Sequence, residues 1–273
     1  MKVLGAGGFF HDLNFSYIDT DKQGTLISLE EERFSGIKSH SILNKNTKTN
    51  YLSLKYIAAL NKIDLHEIDY LVISDKVEPK CQDDLRLMMS NSQVVHVGHH
   101  LSHAYNVIGL NKDIKNADVL ILDGYGDNLS GFSGDFSNTR GVRIDKEFDA
   151  INSLGLVYSA ATQHLGLGGF GCEGKMQGLA SYGHYSDEFS IDNHICIDRS
   201  GISLSNELLK KDDFRDQELY AVNALRSYKL FNHLLDRRFS DEEIKMCHMN
   251  FAQTIQQDVF DATKRKKEHI TQY

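Results

Sequence analysis

Asp118–Leu122 reads DVLIL and is followed at once by Asp123-Gly124. The run is apolar, β-branched, too short for a helix and bounded by acids, so it reads as a buried strand ending in a turn. Downstream, Leu129–Phe136 and Gly141–Ile144 complete a three-stranded meander. Upstream, the chain opens in the same way. Lys2–Gly8 reads as a strand running into a glycine bend, and Leu13–Ile18 and Thr25–Leu29 follow, with Asp19–Gly24 as the turn between them. The two starts lie about 115 residues apart, too far for a solenoid repeat. The chain therefore reads as a duplicated α/β lobe, with residues 1–116 as the first copy and 117–273 as the second. Such a pair suits a ligand held in the cleft between lobes.

Other segments fill in the frame. Asn50–Leu60, Asp83–Met89 and His99–Leu110 read as helices, Tyr70–Ser74 as a buried parallel strand and Gln93–Val97 as another strand. Ser153 can cap a helix whose apolar positions Leu154, Val157, Tyr158, Ala161 and Leu165 form one stripe. Asn250–Lys267 is a second such helix, with Phe251, Ile255, Val259 and Ala262 on one face. Residues 186–215 are polar and read as an irregular excursion. Antiparallel meander plus parallel strands resembles the ribonuclease-H-like lobe of the actin, hexokinase and Hsp70 superfamily.

Composition excludes several classes. The 273 residues carry 30 Lys+Arg against 38 Asp+Glu, a net charge of −8, so the chain lacks the cationic surplus of a nonspecific nucleic-acid binder. The one basic run, Lys264–Lys267, reads as a solvated helix end. The four cysteines form no CxxC pair, which argues against a cysteine zinc site and fits a reducing cytoplasm. The N-terminus lacks a signal-peptide apolar core, and the longest uncharged stretch, Ala150–Cys172, is too polar for a membrane span. A cytoplasmic protein without membrane contact is expected.

Several constellations could carry chemistry. His99 and His103 stand at i and i+4 and share a helix face, the spacing with which two imidazoles reach one metal ion. His100 points elsewhere and reads as a polar neighbour. Asp123, at the C-terminal end of its strand, would add a carboxylate, making a mixed N/O set suited to iron, zinc or manganese. Gly124 after it permits close approach of a ligand. His11 follows the Gly7-Gly8 bend and could serve as a general base. Six glycines between Gly166 and Gly178, with Glu173 and Lys175, could cradle phosphate. Glycine spacing alone favours a flexible loop there, since neither a Walker A nor a Rossmann fingerprint is present. Arg33 and Lys38 sit in what reads as a charged turn.

In order and wording, six segments resemble the ATP-dependent O-carbamoyltransferases of the nodulation and antibiotic-tailoring type. They are GAGGFFHDLNFSYI (Gly5–Ile18), EERFSGIKSH (Glu31–His40), HHLSHA (His99–Ala104), LDGYGD (Leu122–Asp127), SLGLVYSAATQHLG (Ser153–Gly166) and CEGKMQGLASYG (Cys172–Gly183). The last departs from the family wording, with Gly174 in place of an aromatic, Gln177 of Met and Ser181 of Pro. The resemblance implies a two-lobed actin-like domain, similar to that of the universal tRNA threonylcarbamoyl-transfer protein. In such enzymes a C-terminal YrdC-like domain makes carbamoyl adenylate from ATP and carbamoyl phosphate. The N-terminal domain then transfers the carbamoyl group to a hydroxyl.

By motif position, the resemblance implies that His99, His103 and Asp123 hold the metal, with iron expected. It implies that His11 assists transfer and Lys38 meets the adenylate. Gly7, Gly8, Gly124, Glu173, Lys175 and Gly178 would line the nucleotide site. The family continues past the helix Asn250–Lys267 into a nucleotide strand, another metal-binding aspartate and the YrdC-like domain. The chain ends at Tyr273, so the second lobe reads as truncated, and a separate YrdC-like chain is the expected partner. Two alternatives remain open at this point. One is a non-catalytic remnant or partner-binding module of the same fold, whose apolar face around Phe251 and Ile255 would need a partner. The other is a different actin-like ATPase or sugar kinase.

Overall fold

The computed structural model describes residues 1–22, 26–41, 51–74, 79–111, 113–169, 171–198, 201–205, 208, 231–239 and 241–271. Parts of the expected turn 19–24, strand 25–29, helix 50–60 and excursion 186–215 lie outside them. The chain forms two compact units, Met1–His103 and Ala104–Tyr273.

The first unit is built on β1 (Lys2–Gly7), β2 (Asn14–Asp19), β3 (Leu26–Glu30), β4 (Tyr70–Ser74) and β5 (Gln93–Val97), in the order β3-β2-β1-β4-β5. The β1, β2 and β3 pairings are antiparallel, whereas β4 and β5 extend the sheet in parallel. This is the ribonuclease-H-like arrangement expected from the sequence. Alternation along β2 buries Phe15 and Tyr17, and Leu4, Leu71 and Ile73 join them in the core. Between β3 and β4 lie α1 (Glu32–Ser35) and α2 (Leu52–Asn61), and α3 (Pro79–Met88) precedes β5. Leu54 and Ile57 of α2 and Leu85 of α3 complete the core. Tyr51 at the start of α2 supplies no side-chain cap. The buried carboxylate of Glu31 takes that role, accepting from the Leu52 and Ser53 amides at 2.7 and 2.9 Å. Helix α4 (His99–Leu110) runs through the division between the units.

The second unit opens on a meander of β6 (Asn116–Gly126), β7 (Leu129–Ser137) and β8 (Gly141–Asp149), in that order and antiparallel. It repeats the β1-β2-β3 pattern of the first sheet. Asp127 and Asn128 both have positive φ, as a two-residue hairpin turn with the sheet's own twist requires. Helices α5 (Leu154–His164) and α6 (Glu173–Ala180) follow, then the hairpin β9 (Ile195–Asp198) and β10 (Gly201–Leu204), α7 (Phe231–Leu234) and α8 (Met246–Thr271).

Four expectations change here. The excursion contains an ordered hairpin, whose Ile195, Ile202 and Leu204 are buried in the unit's core. The second half of the glycine-rich window is helix α6, not loop, because Met176 and Ala180 anchor it to that core. Helix α5 is buried well beyond one stripe. Leu156, Ser159, Ala160, Thr162 and His164 are also covered, since α5 packs against β6, α6 and α8. The basic run is not simply solvated. Lys266 is buried, donates to the Asp198 carbonyl at 3.0 Å and lies 5.0 Å from the Phe148 ring centroid. Arg265 pairs with Asp192.

The Phe251–Ile255 face of α8 is buried within its own unit, beside Phe189, Phe231 and Met176. The outside partner expected for it as a remnant is therefore not required.

Buried histidines give this unit a pH signature. Burial pushes the His164 imidazole below its ordinary value of 6.5, and His248 shifts the same way for the same reason. Protonation then favours the unfolded chain, so their contribution is complete above pH 6.5 and is lost as pH falls through the folded values. Burial pushes Asp258 above its usual 3.8, with the opposite sign: stability falls as pH rises through its folded value. Urea unfolding at pH 7.5 and pH 5.5 should show a larger loss on acidification for wild type than for His164→Gln. Equal losses would exclude His164 as the source.

Candidate functional site

Strand β1 ends at Gly7, and the chain turns at Gly8 with φ +70°. A Cβ on Gly8 would meet the Asp12 carbonyl oxygen at 2.3 Å, so the loop closes on a residue that must be glycine. His11 stands out from this loop, its side chain 73% exposed, with Nδ1 2.7 Å from an Asp12 carboxylate oxygen. The EERFSGIKSH segment packs behind it. The Leu13 amide donates to the His40 carbonyl at 2.9 Å, the Glu31 amide to the Leu13 carbonyl at 2.8 Å, and the Ser41 hydroxyl to the Phe9 carbonyl at 3.3 Å. Two segments that sequence reasoning treated separately are thus one substructure. Lys38 lies exposed in the turn after α1.

His99 and His103 start α4. Their Nε2 atoms lie 3.1 Å apart, with ring centroids at 4.7 Å and planes at 77°. Two ligand nitrogens each 2.0–2.1 Å from an ion lie about 2.9 Å apart at a right angle and about 3.4 Å at the tetrahedral angle. The observed separation falls between, so the pair fits a shared divalent ion. His100 is buried and meets the His99 ring edge-on.

In the second unit, pairing of β6 with β7 breaks between Leu122 and Gly126. Asp123, Gly124 and Tyr125 fall in that irregularity, near the strand's end. The Gly124 amide donates to the Asp123 carboxylate at 2.6 Å. The Ser153 hydroxyl donates to the Asp123 carbonyl at 3.0 Å and accepts from the Leu156 amide at 3.1 Å, capping α5 and tying it to β6. A Cβ on Gly155 would sit 2.7 Å from the Gly124 Cα, so α5 can approach the strand only with glycine there. Sequence reasoning passed over Gly155. An isolated glycine in a helical pattern was its signal.

Farther along α5, Ser159 donates to the Glu173 carboxylate at 2.5 Å. Lys175 Nζ donates to the Leu167 carbonyl at 3.0 Å, bracing the glycine-rich bend against the first turn of α6. Gly178 is exposed on α6. Helix α5 thus touches Asp123-Gly124 at its start and Glu173 along its length.

Among the described residues, no helix is long and apolar enough to cross a membrane. Residues 81–259 match the family model described as carbamoyltransferase N-terminus. The chain is 30% identical over 178 residues to the uncharacterized protein MJ1051 of Methanocaldococcus jannaschii, covering 63% of this chain and 32% of that protein. It is 38% identical over 124 residues to the nodulation protein NolNO of Sinorhizobium fredii, covering 41% of this chain and 18% of that one. It therefore spans about a third and a fifth of these relatives' lengths. Among solved structures, HypF of T. kodakarensis aligns at TM-score 0.39 and 13% identity, over 70% of this chain and 24% of that one. YeaZ from Pseudomonas aeruginosa aligns at 0.35 and 9%, over 52% and 63%. On the family match across most of its length, the chain belongs to the carbamoyltransferase N-terminal family.

Proposed function

We propose that the chain carries the transfer half of an ATP-dependent O-carbamoyltransferase, moving a carbamoyl group from carbamoyl adenylate to the hydroxyl of a small molecule or nucleotide. Family membership supports the transferase class. The paired imidazoles on α4 carry the finer reading. His99 and His103 would supply two nitrogens and Asp123 a carboxylate oxygen to one divalent ion, with iron expected and zinc or manganese compatible. When bound, that ion would stabilise negative charge developing on the reacting group.

The chain's own residues do the rest. His11 takes the acceptor's hydroxyl proton as its oxygen attacks the carbamoyl carbon. The new C–O bond forms, the bond to the phosphate oxygen breaks, and AMP leaves. Lys38 meets the adenylate as a cation. By the resemblance, Gly7, Gly8, Gly124, Glu173, Lys175 and Gly178 would line the nucleotide site. Carbamoyl adenylate would come from a YrdC-like partner acting on ATP and carbamoyl phosphate, and the setting would be the cytoplasm.

The test supplies ATP, carbamoyl phosphate and a panel of alcohols. The chain alone should release no AMP. Addition of a YrdC-like domain from a relative should yield AMP and carbamoylated alcohol, and His11→Gln should lower transfer at least 100-fold, within the usual range for general-base catalysis of about 10²–10⁴. Carbamoylation by the chain alone would count against the reading.

A further inference from the structure

We propose that Asp12 is the positioning residue for His11, holding its imidazole as the Nδ1–H tautomer so that Nε2 faces the acceptor as a base. The base role of His11 rests on the function proposed above, but the tautomer assignment does not.

Asp12 has φ +57°, a left-handed conformation that costs most residues energy and that Asp tolerates through local hydrogen bonds. Three contacts hold it there. Gly8 packs against its carbonyl, where no side chain would fit. Asn14 Nδ2 donates to the same carbonyl at 3.0 Å, and Asn14 is itself paired with Gly7 in the β1–β2 ladder. Leu13, the next residue, is tied to His40 and Glu31. The strained residue is thus fixed by the sheet and by the segment behind it, which is where strain tends to mark function.

That backbone directs the Asp12 carboxylate to its neighbour. The contact to His11 Nδ1 is 2.7 Å, in the range of charge-assisted hydrogen bonds. A carboxylate only accepts, so Nδ1 carries the proton and Nε2 of the neutral ring keeps its lone pair. With 73% of the His11 side chain exposed, the ring is accessible to a substrate hydroxyl. The geometry has the logic of a general base oriented by a third group.

Two variants isolate the carboxylate. Asp12→Gly removes it without backbone penalty at positive φ, and Asp12→Asn keeps the shape while offering a donor. Ring nitrogen NMR of the full chain at pH 8 reads the tautomer directly. Wild type should be mostly Nδ1–H, and both variants should shift toward Nε2–H. A wild-type ring no richer in Nδ1–H than that of Asp12→Gly would overturn the proposal. In the reconstituted transfer assay, both variants should lower kcat about 10- to 100-fold with little change in KM for the alcohol, a fraction of what a general base contributes. Full transfer by His11→Gln with the tautomer still dependent on Asp12 would remove the base role alone. That separates the two failures.

Discussion

His103→Ala should abolish metal binding. Protein loaded with ferrous, zinc or manganese ion should hold about one equivalent, and the variant should bind more than about 100-fold more weakly. Loss of a group that only orients a metal's ligand costs about 10- to 100-fold, and loss of a ligand itself costs more. The expectation rests on α4 geometry. The i, i+4 spacing stacks the two imidazoles on one face, and their Nε2 atoms sit 3.1 Å apart, a separation two ligands of one ion adopt. With one imidazole gone, α4 offers a single imidazole of the pair, too few donors for tight binding. His96→Ala is the control. His96 lies on β5 beside Gln82, 3.3 Å away, and its variant should retain the ion. Equal metal content in wild type and His103→Ala would remove the site.

Phe251→Ala should destabilise the second unit by about 3–5 kcal/mol, the range for deleting a fully buried aromatic. Its ring packs edge-on against Phe189 and Phe231, at 5.9 and 5.5 Å, and lies 5.7 Å from the His164 ring. It is wholly buried, as are Leu165, Met176 and Ile255 around it. A cavity there would be lined by four elements that cannot all collapse into it. In thermal unfolding, the transition should fall by roughly 6–20 °C, at ~2–4 °C per kcal/mol for a unit of this size. A shift of only one or two degrees would mean that the cluster is not the centre of the unit.

The elements whose residues are neighbours in sequence were legible without coordinates. Tyr70–Ser74, Gln93–Val97 and His99–Leu110 have the bounds read from their patterns. Both meanders follow from short apolar runs and turn residues. The His99–His103 pair needs only one turn of helix, so its spacing already placed the two rings together. Ser153 is the cap its position suggested. Position after the Gly7-Gly8 bend suggested a base role for His11, whereas only the family resemblance suggested one for Lys38.

Contacts between distant segments were not legible. Nothing in EERFSGIKSH shows that Glu31 caps a helix 21 residues later, or that the segment backs the His11 loop. Nor does local pattern reveal Lys266 under the Phe148 ring, or Gly155 against the Gly124 backbone. Periodicity identifies one apolar face, whereas α5 is covered by three elements that the chain reaches at different times. What the sequence alone determined is the local alphabet: strands by period two, helices by period 3.6, and the donors one turn apart. Tertiary structure decided which segments hold the Asp12 backbone, which hydroxyl ties α5 to Asp123, and which charges are buried. The reason is physical. Local conformation depends on backbone sterics and neighbouring side chains, while burial and hydrogen-bond partnership depend on segments that meet only after the chain has folded.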